Sequence, residues 1–585
     1  MRTVRLVEIR LLEGPNVYRL EPVVKTEVAV GRRRTWYGQR VPGRHALVRL
    51  GGAVPRHRWP SRVGGIVAWT RRLRTDHDEG HGDVLVHRSS DPGHWVVTWP
   101  WRRSGRARAI AEAAVALAER DVAPLRRARL SPGQARLLDR WTGRIAEEDE
   151  LPPAWIRDAD RRIPIVSVSG TNGKSTTSRL ITHILIAAGR RVGTTTSDGV
   201  LVNERMIEPG DWTGPGGAAQ ILERSDVDVA VLETARGGIV LRGVGYESNE
   251  VSVLTNVSSD HLDLQGIHTL PELTQVKATI CRITKPDGLV VLNADDRYVA
   301  AVGGRVRAPV AYFSLDERRS AVIRRHIAAG GRAVVVRDGE VVEVVDGAAA
   351  TIVGVATIPI AIGGLARHNV ANVLAAAAAA RGLGATVEQV RDGLIDFRPT
   401  SERSPGRLNL FKVGSKVVIV DFAHNEAGVD AILDVALGIA AAASGRAAPV
   451  TMIIGTAGDR PDDTLRGIGR IAARRAQRVA IKETTKYLRG RTRESVVGEL
   501  LAGVRAAGSP IADVPVYETE LEALRFELGR HDGTGGGEER RVVVLMCHEQ
   551  REEVFRLLAT LGARPVDALT DLAELAPGLE PERRE

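Results

Sequence analysis

The residues with the most explicit chemistry lie between Ile163 and Thr177. A β-branched apolar run ends at Ser169, the turn Gly170-Thr171-Asn172-Gly173 follows, and Lys174-Ser175-Thr176 opens a segment with helical patterning. A strand, a glycine-bearing turn and a helix starting on Lys-Ser are how a chain holds a nucleotide triphosphate. Backbone N–H groups of the turn and helix start face the phosphates, Lys174 adds a point charge, and the Ser175 hydroxyl can ligate Mg²⁺. The strict spacing of this motif puts a glycine at position 168, where the chain has Val168, so the loop is a shorter variant. A bare tight turn is the alternative, and the Lys-Ser-Thr that follows argues against it.

Two further turns carry polar groups at strand ends. The run from Asp228 closes on Glu233, followed by Thr234-Ala235-Arg236-Gly237-Gly238. A carboxylate there, beside a phosphate loop, is placed to ligate Mg²⁺ or organise water. The run from Val253 leads to Asn256, then to Asp260-His261, a pair that can ligate metal or touch phosphate. Taken alone, Glu233 reads equally as a solvated cap and Asp260-His261 as an Asx-turn. Their order after a phosphate loop favours the functional reading.

These turns need elements to hold them. From about residue 160 to 400 the pattern repeats as strand, loop, helix, with strands expected at 163–168, 227–232, 251–255 and 288–292. That alternation predicts an α/β region with a mainly parallel sheet and chemistry at the strands' carboxyl ends. Segments 333–345 and 350–362 predict antiparallel strands at the sheet's edge. From about 401 a second series predicts strands at 417–421, 450–454, 478–481 and 542–546. Residues 1–150 hold seven of the nine tryptophans, with alternating strands expected at 4–12 and 23–30 and a helix at 107–119. The acidic, Pro-Pro stretch 147–153 reads as a linker. Segment 533–537 reads as a flexible insertion and 577–585 as a disordered tail.

Composition narrows the class. A chain of 585 residues exceeds one core, and about three or four domains are expected. Cys281 and Cys547 are too few for a disulfide framework or a thiolate zinc site, which points to a reducing cytoplasm. No window approaches the ~18 apolar residues of a membrane span, and no apolar signal core follows Met1-Arg2-Thr3-Val4-Arg5. The net charge of +10 comes from 82 basic and 72 acidic residues. The arginines are spread among acids without aromatic interleaving, so a solvated surface rather than a nucleic-acid partner is expected.

The ordered set Gly170-Thr-Asn-Gly-Lys-Ser175, Glu233, Asn256…Asp260-His261, Lys277, Asn293-Ala-Asp-Asp296, His368-Asn369…Asn372, Arg407 and Asp421-Phe-Ala-His424-Asn425 resembles the Mur ligase superfamily. Thr194-Thr-Thr-Ser-Asp198-Gly199, Thr213-Gly-Pro215 and Leu488-Arg-Gly-Arg491 are similar to the Mur-like half of cyanophycin synthetases, and Glu8 to Tyr18 to their amino-terminal domain. The resemblance implies a smaller α+β amino-terminal domain (1–150), a central P-loop ATP-binding domain (151–400), a Rossmann-like α/β carboxyl-terminal domain (401–577) and a tail (578–585).

It also implies an ATP-dependent carboxylate–amine ligase working through an acyl phosphate on an amino acid or peptide. Gly170, Thr171, Asn172, Gly173, Lys174, Ser175 and Thr176 would cradle the ATP phosphates. Ser175 and Glu233 would hold one Mg²⁺ and His261 a second. Lys277 matches a lysine that some members carbamylate. Asn369 and Asn372 would contact adenine, Asp421 the ribose and Arg407 the γ-phosphate. Asp198, Thr213 and Arg236 are candidates for acceptor recognition, and the turn Gly455 to Arg460 for the amine side. A homo-oligomer is expected. Two departures stand out. The chain has no room for the ATP-grasp domain of cyanophycin synthetases, so growth of their two-residue polymer by this chain alone is not expected. Phe422 and Glu426 replace the family's Tyr and Pro. The alternatives are a non-catalytic ATP-binding partner of a separate ATP-grasp enzyme, and a P-loop phosphotransferase, which leaves the Asn-Ala-Asp-Asp and His-Asn motifs unexplained.

Overall fold

The computed structural model describes residues 3–31, 52–125, 127–149, 151–259, 262, 264–442, 447–508, 513–530 and 540–567. Among these residues the chain forms three sheets. The largest has eleven strands, in the order Ala348–Gly354, Glu340–Val345, Arg332–Arg337, Val310–Ser314, Thr284–Asn293, Asn249–Leu254, Ile165–Ser169, Val229–Glu233, Val192–Thr195, Gly199–Val202 and Arg205–Pro209. Its middle, from Arg332–Arg337 to Val192–Thr195, is parallel, and hairpin strands run antiparallel at both ends. The inner strands are runs of Val, Ile and Leu buried on both faces, as a helix-covered parallel sheet requires.

The strand order places the crevice. After Ile165–Ser169 the chain builds Val192–Thr195 and Val229–Glu233 on one side, then crosses to Asn249–Leu254 on the other. The change of direction leaves an opening at the carboxyl end of Ile165–Ser169. One face of the sheet packs against helices Lys174–Ala187 and Arg367–Gly382, and the other against Pro215–Leu222 and Leu270–Lys277. In helix Arg367–Gly382, residues 373–380 are all completely buried. Their small side chains let the helix lie close to both the sheet and helix Lys174–Ala187.

The second sheet has seven strands, ordered Val516–Tyr517, Arg478–Lys482, Val450–Ile454, Arg541–Met546, Lys416–Asp421, Asn409–Val413 and Arg564–Pro565. The first five are parallel and the last two antiparallel. Helices Glu426–Ala442 and Asp462–Arg475 cover one face, Glu520–Gly529 and Arg551–Thr560 the other. The third sheet is antiparallel, ordered Thr3–Leu12, Val23–Gly31, His94–Pro100 and Leu85–Arg88, under helices Ser61–Asp76 and Ser104–Glu119. Trp69 and Trp99 are fully buried there. Backbone bonds from Glu13 N to Arg242 O (2.7 Å) and from Val244 N to Pro15 O (2.8 Å) tie this part to the central sheet.

Several expectations need correction. Extended structure expected over 350–362 stops at Gly354, and 3₁₀ turns follow at Val355–Thr357 and Pro359–Ala361, where Pro359 has no N–H for a ladder. Arg332–Arg337 pairs antiparallel with Glu340–Val345, as expected, but its other side pairs in parallel with Val310–Ser314, so the antiparallel edge begins one strand later. Strands Val192–Thr195, Val310–Ser314 and Asn409–Val413 were not anticipated; the buried Thr194 and Thr195 disguise the first as polar. The 533–537 insertion and the 577–585 tail lie outside the described residues. Among the described residues no helix is long and apolar enough to cross a membrane.

Ala376→Leu inserts three heavy atoms where the Ala-rich helix has no room. The expected outcome is a loss of about 1–3 kcal/mol in urea unfolding; an unchanged midpoint means that the helix is not closely packed.

Candidate active site

The loop after Ile165–Ser169 is held from behind. Lys277 Nζ donates to Gly170 O at 2.6 Å, Lys174 Nζ to Thr171 O at 2.9 Å, and Thr255 Oγ1 and Asn256 Nδ2 to Asn172 O at 2.7 and 3.0 Å. The N–H groups of Thr171 and Asn172 donate to Asn256 O and Oδ1, at 2.8 and 2.9 Å. The donors left to face an anion are therefore those at the start of helix Lys174–Ala187, whose first N–H groups have no intrahelical acceptor. This shifts the cradle later than the sequence suggests: Thr171 and Asn172 brace it, and Gly173 to Thr176 line it. Gly170 (φ +153°) and Gly173 (φ +84°) are glycines by necessity. A Cβ at 170 would collide with Thr255 and one at 173 with the Asn372 side chain.

Charged and hydroxyl groups converge on the helix start. Glu233 ends its strand beside Ile165–Ser169, its carboxylate buried. Burial pushes its pKa up, against the charge of Lys174, a hydrogen bond from Ser175 and the charge of Arg407. A cavity of ≈ 10 Å³, lined by Glu233, Thr195, Thr213 and Tyr246 among others, has room for about one water. Arg407 reaches across from the second sheet, donating Nη2 to Ser175 Oγ (3.5 Å) and Ser197 Oγ (3.2 Å). Ser197 also places its N–H 3.4 Å from Glu233 Oε2.

Arg407 is positioned by an uncommon backbone. Leu408 beside it has φ +55°, a left-handed conformation that costs a branched residue about 1–2 kcal/mol. Asp421 Oδ2 accepts the Leu408 N–H at 2.7 Å. Burial drives the Asp421 carboxyl up to about 6, against Arg407 and the N–H groups of Leu408 and Ala423.

Asn372 Nδ2 donates to Asn369 Oδ1 (3.1 Å), Asn369 Nδ2 to Ile360 O (3.1 Å), and Thr177 Oγ1 to Asn372 Oδ1 (3.3 Å). Asn372 thus braces the phosphate-loop helix, and Asn369, one turn earlier, holds Asn372 in place. Asp198 is buried between Arg179 Nη2 (2.9 Å) and Arg551 Nη1 (3.0 Å); burial opposes its charge, but Arg407, Arg179 and Arg551 outweigh that and hold its pKa low. It serves as a strut between the sheets. Thr213 Oγ1 donates to Asp211 (2.6 Å) and Arg236 Nη1 to Leu264 O (3.2 Å). Asp459, in the turn after Val450–Ile454, pairs with Arg460 and Arg489. Asp260 and His261 lie outside the described residues.

Four contributors have roles that the sequence does not state. Asn172 and Asn425 exchange side-chain bonds across the crevice, at 3.2 and 3.0 Å; each sits in a motif of the sequence, but nothing there pairs them. Ser197 stands inside the Thr194 to Gly199 motif without a role of its own, and Arg551 is simply the first residue of a helix.

A phosphate cradle at the switch point of a parallel sheet, faced by a guanidinium from a second α/β sheet, defines a phosphate-loop protein of two lobes. The model of the Mur ligase middle domain matches residues 168–380. The chain is 30% identical over 363 residues to UDP-N-acetylmuramyl-tripeptide synthetase of Deinococcus radiodurans, covering 60% of this chain and 67% of that protein. It is 35% identical over 419 residues to cyanophycin synthetase of Crocosphaera subtropica, and 40% identical over 375 residues to that of Synechocystis sp.. These matches cover 72% and 64% of this chain but only 46% and 42% of the cyanophycin synthetases, so the chain spans less than half their length. The chain belongs to the Mur ligase family.

Asp421 gives a pH signature. Its carboxyl takes up a proton near pH 6 when folded but only near about 4 when unfolded, so the folded state binds more protons between these values. Stability relative to Asp421→Asn is expected to rise as pH falls from about 7 to about 4. Urea unfolding of both proteins checks this; a difference independent of pH rules it out.

Proposed function

We propose that the protein is an ATP-dependent carboxylate–amine ligase that forms an amide through an acyl phosphate, on an amino acid or peptide carboxylate. The convergence of Lys174, Ser175, Glu233 and Arg407 at one helix start supports this reading most directly. The chemical fit is sound: the helix-start N–H groups and two cations suit a polyphosphate, and a hydroxyl beside a carboxylate suits Mg²⁺.

Ser175 and Glu233 would hold the Mg²⁺, with His261 as ligand to a second, and the metal supplies charge neutralisation on the phosphates. Lys174 exchanges its bond to Thr171 O for the β/γ oxygens, and Arg407 bears on the γ-phosphate from the opposite lobe. The substrate carboxylate oxygen attacks the γ-phosphorus, releasing ADP and leaving an acyl phosphate. The amine nitrogen attacks the acyl carbon, the C–O bond to phosphate breaks, and the amine loses its proton. Asn369 and Asn372 retain donor capacity for adenine, and Asp421 stands beside Arg407 for the ribose. Lys277 steadies the loop from beneath.

Phosphate release that needs both a carboxylate and an amine, measured across panels of each, is the expected activity. Lys174→Ala and His261→Ala are each expected to lower it by about 100-fold or more, roughly 3 kcal/mol of charge stabilisation. A near-normal rate in Lys174→Ala, or ATP binding without turnover across both panels, contradicts the proposal.

A further inference from the structure

Beneath the crevice, in the second sheet, lies a buried polar cluster that the reaction scheme does not use. Lys482 at the end of Arg478–Lys482 is fully buried, and its ammonium has three acceptors. These are Glu520 Oε1 at 2.7 Å, Thr484 Oγ1 at 3.2 Å and His548 Nδ1 at 3.0 Å. An ammonium has three hydrogens, so its donors are all used. Glu520, also buried, accepts the backbone N–H groups of His548 (2.6 Å), Glu549 (3.1 Å) and Gln550 (2.8 Å). One carboxylate thus fixes the turn that leads into helix Arg551–Thr560.

The imidazole of His548 has one solution. Its Nε2 lies 2.8 Å from Ala423 O, which can only accept. Its Nδ1 faces the Lys482 ammonium, which can only donate. The ring is therefore neutral, with its proton on Nε2. Burial, then the charge of Lys482, depresses its pKa well below the usual histidine value. The ring also meets Phe422 at 5.0 Å between centroids, in an edge-on contact. The face of Phe422 carries the Arg407 guanidinium at 4.8 Å and that of Arg551 at 6.0 Å.

We infer that Lys482, Glu520 and His548 form a positioning relay that sets the Asp421–Asn425 turn, and through Phe422 the Arg407 guanidinium, against the nucleotide crevice. Ala423 stands between Asp421, which holds the Leu408 N–H, and Asn425, which clasps Asn172. A hydrogen bond on Ala423 O therefore fixes the segment that holds the Leu408 N–H beside Arg407 at one end and clasps Asn172 at the other. The relay touches neither nucleotide nor reacting atoms; it acts by orientation. The inference rests on the nucleotide reading of the crevice.

Two measurements test it. In the ¹⁵N-histidine spectrum of the wild-type protein, with the His548 signal assigned by its loss in His548→Gln, the neutral Nε2–H tautomer is expected and should persist at pH 5. A protonated ring or the Nδ1–H tautomer overturns the relay, whatever binds in the crevice. In calorimetric titration with MgADP, His548→Leu is expected to weaken binding about tenfold, the worth of one buried hydrogen bond. His548→Gln, whose amide can donate to Ala423 O, should recover most of that loss, which a purely packing role of the ring would not produce. Equal MgADP affinity in wild type and His548→Leu overturns the relay and leaves the nucleotide reading intact. Absence of MgADP binding in the wild type overturns both.

Discussion

A loop can present N–H groups to an anion only if its carbonyls are turned away and satisfied elsewhere, and this molecule is organised around that condition. The carbonyls of residues 170, 171 and 172 are each bonded from behind, by Lys277, by Lys174 and by the pair Thr255 and Asn256. Lys174 belongs to the loop's own helix, but Thr255 and Asn256 come from the neighbouring strand end and Lys277 from the helix below it, so the loop's conformation depends on the sheet's strand order. Without these bonds the carbonyl dipoles would oppose the positive end of helix Lys174–Ala187. Glycine at 170 and 173 is the steric counterpart, because the side chains that hold the loop occupy the space a Cβ would need.

The second lobe adds what the first lacks. The central sheet supplies a cradle, one carboxylate and hydroxyls, but Arg407 comes from the other sheet, as do Asn425 and Arg551. A completed site therefore exists only when the lobes meet. Three contacts of different chemistry fix that meeting: an amide exchange, a guanidinium on hydroxyls and a buried ion pair. Phe422 offers an aromatic face to Arg407 and has no polar group of its own to satisfy.

Much of this was legible in the residues. β-Branched runs with helical spacers located the inner strands of both α/β sheets, since such strands are buried on both faces and read as continuous apolar text. The phosphate loop announced itself through Gly170, Gly173 and Lys174, whose roles need particular residue types. Strand Val192–Thr195 stayed hidden because its Thr194 is satisfied by a threonine of the covering helix, in the 2.6 Å bond between Thr182 and Thr194, and polarity then says nothing about burial. The division of labour within the loop was also hidden. Whether the N–H of Thr171 faces an anion or Asn256 depends on a residue 85 positions away, which no local pattern records. Asp198 is a recognition candidate only through the resemblance, and its pairing is not legible locally, because its arginine partners come from two different helices.

The clasp between Asn172 and Asn425 is uncharged and nearly symmetrical, each side chain giving one hydrogen and taking one. Water can offer both amides the same exchange at little net cost, and neither partner carries a charge that salt could screen. The two lobes are thus joined at the loop itself by a fastener that parts without stranding an ion. The other grip, Arg551 on Asp198, is a buried ion pair, so of these two fasteners only one would leave a charge without its partner on parting.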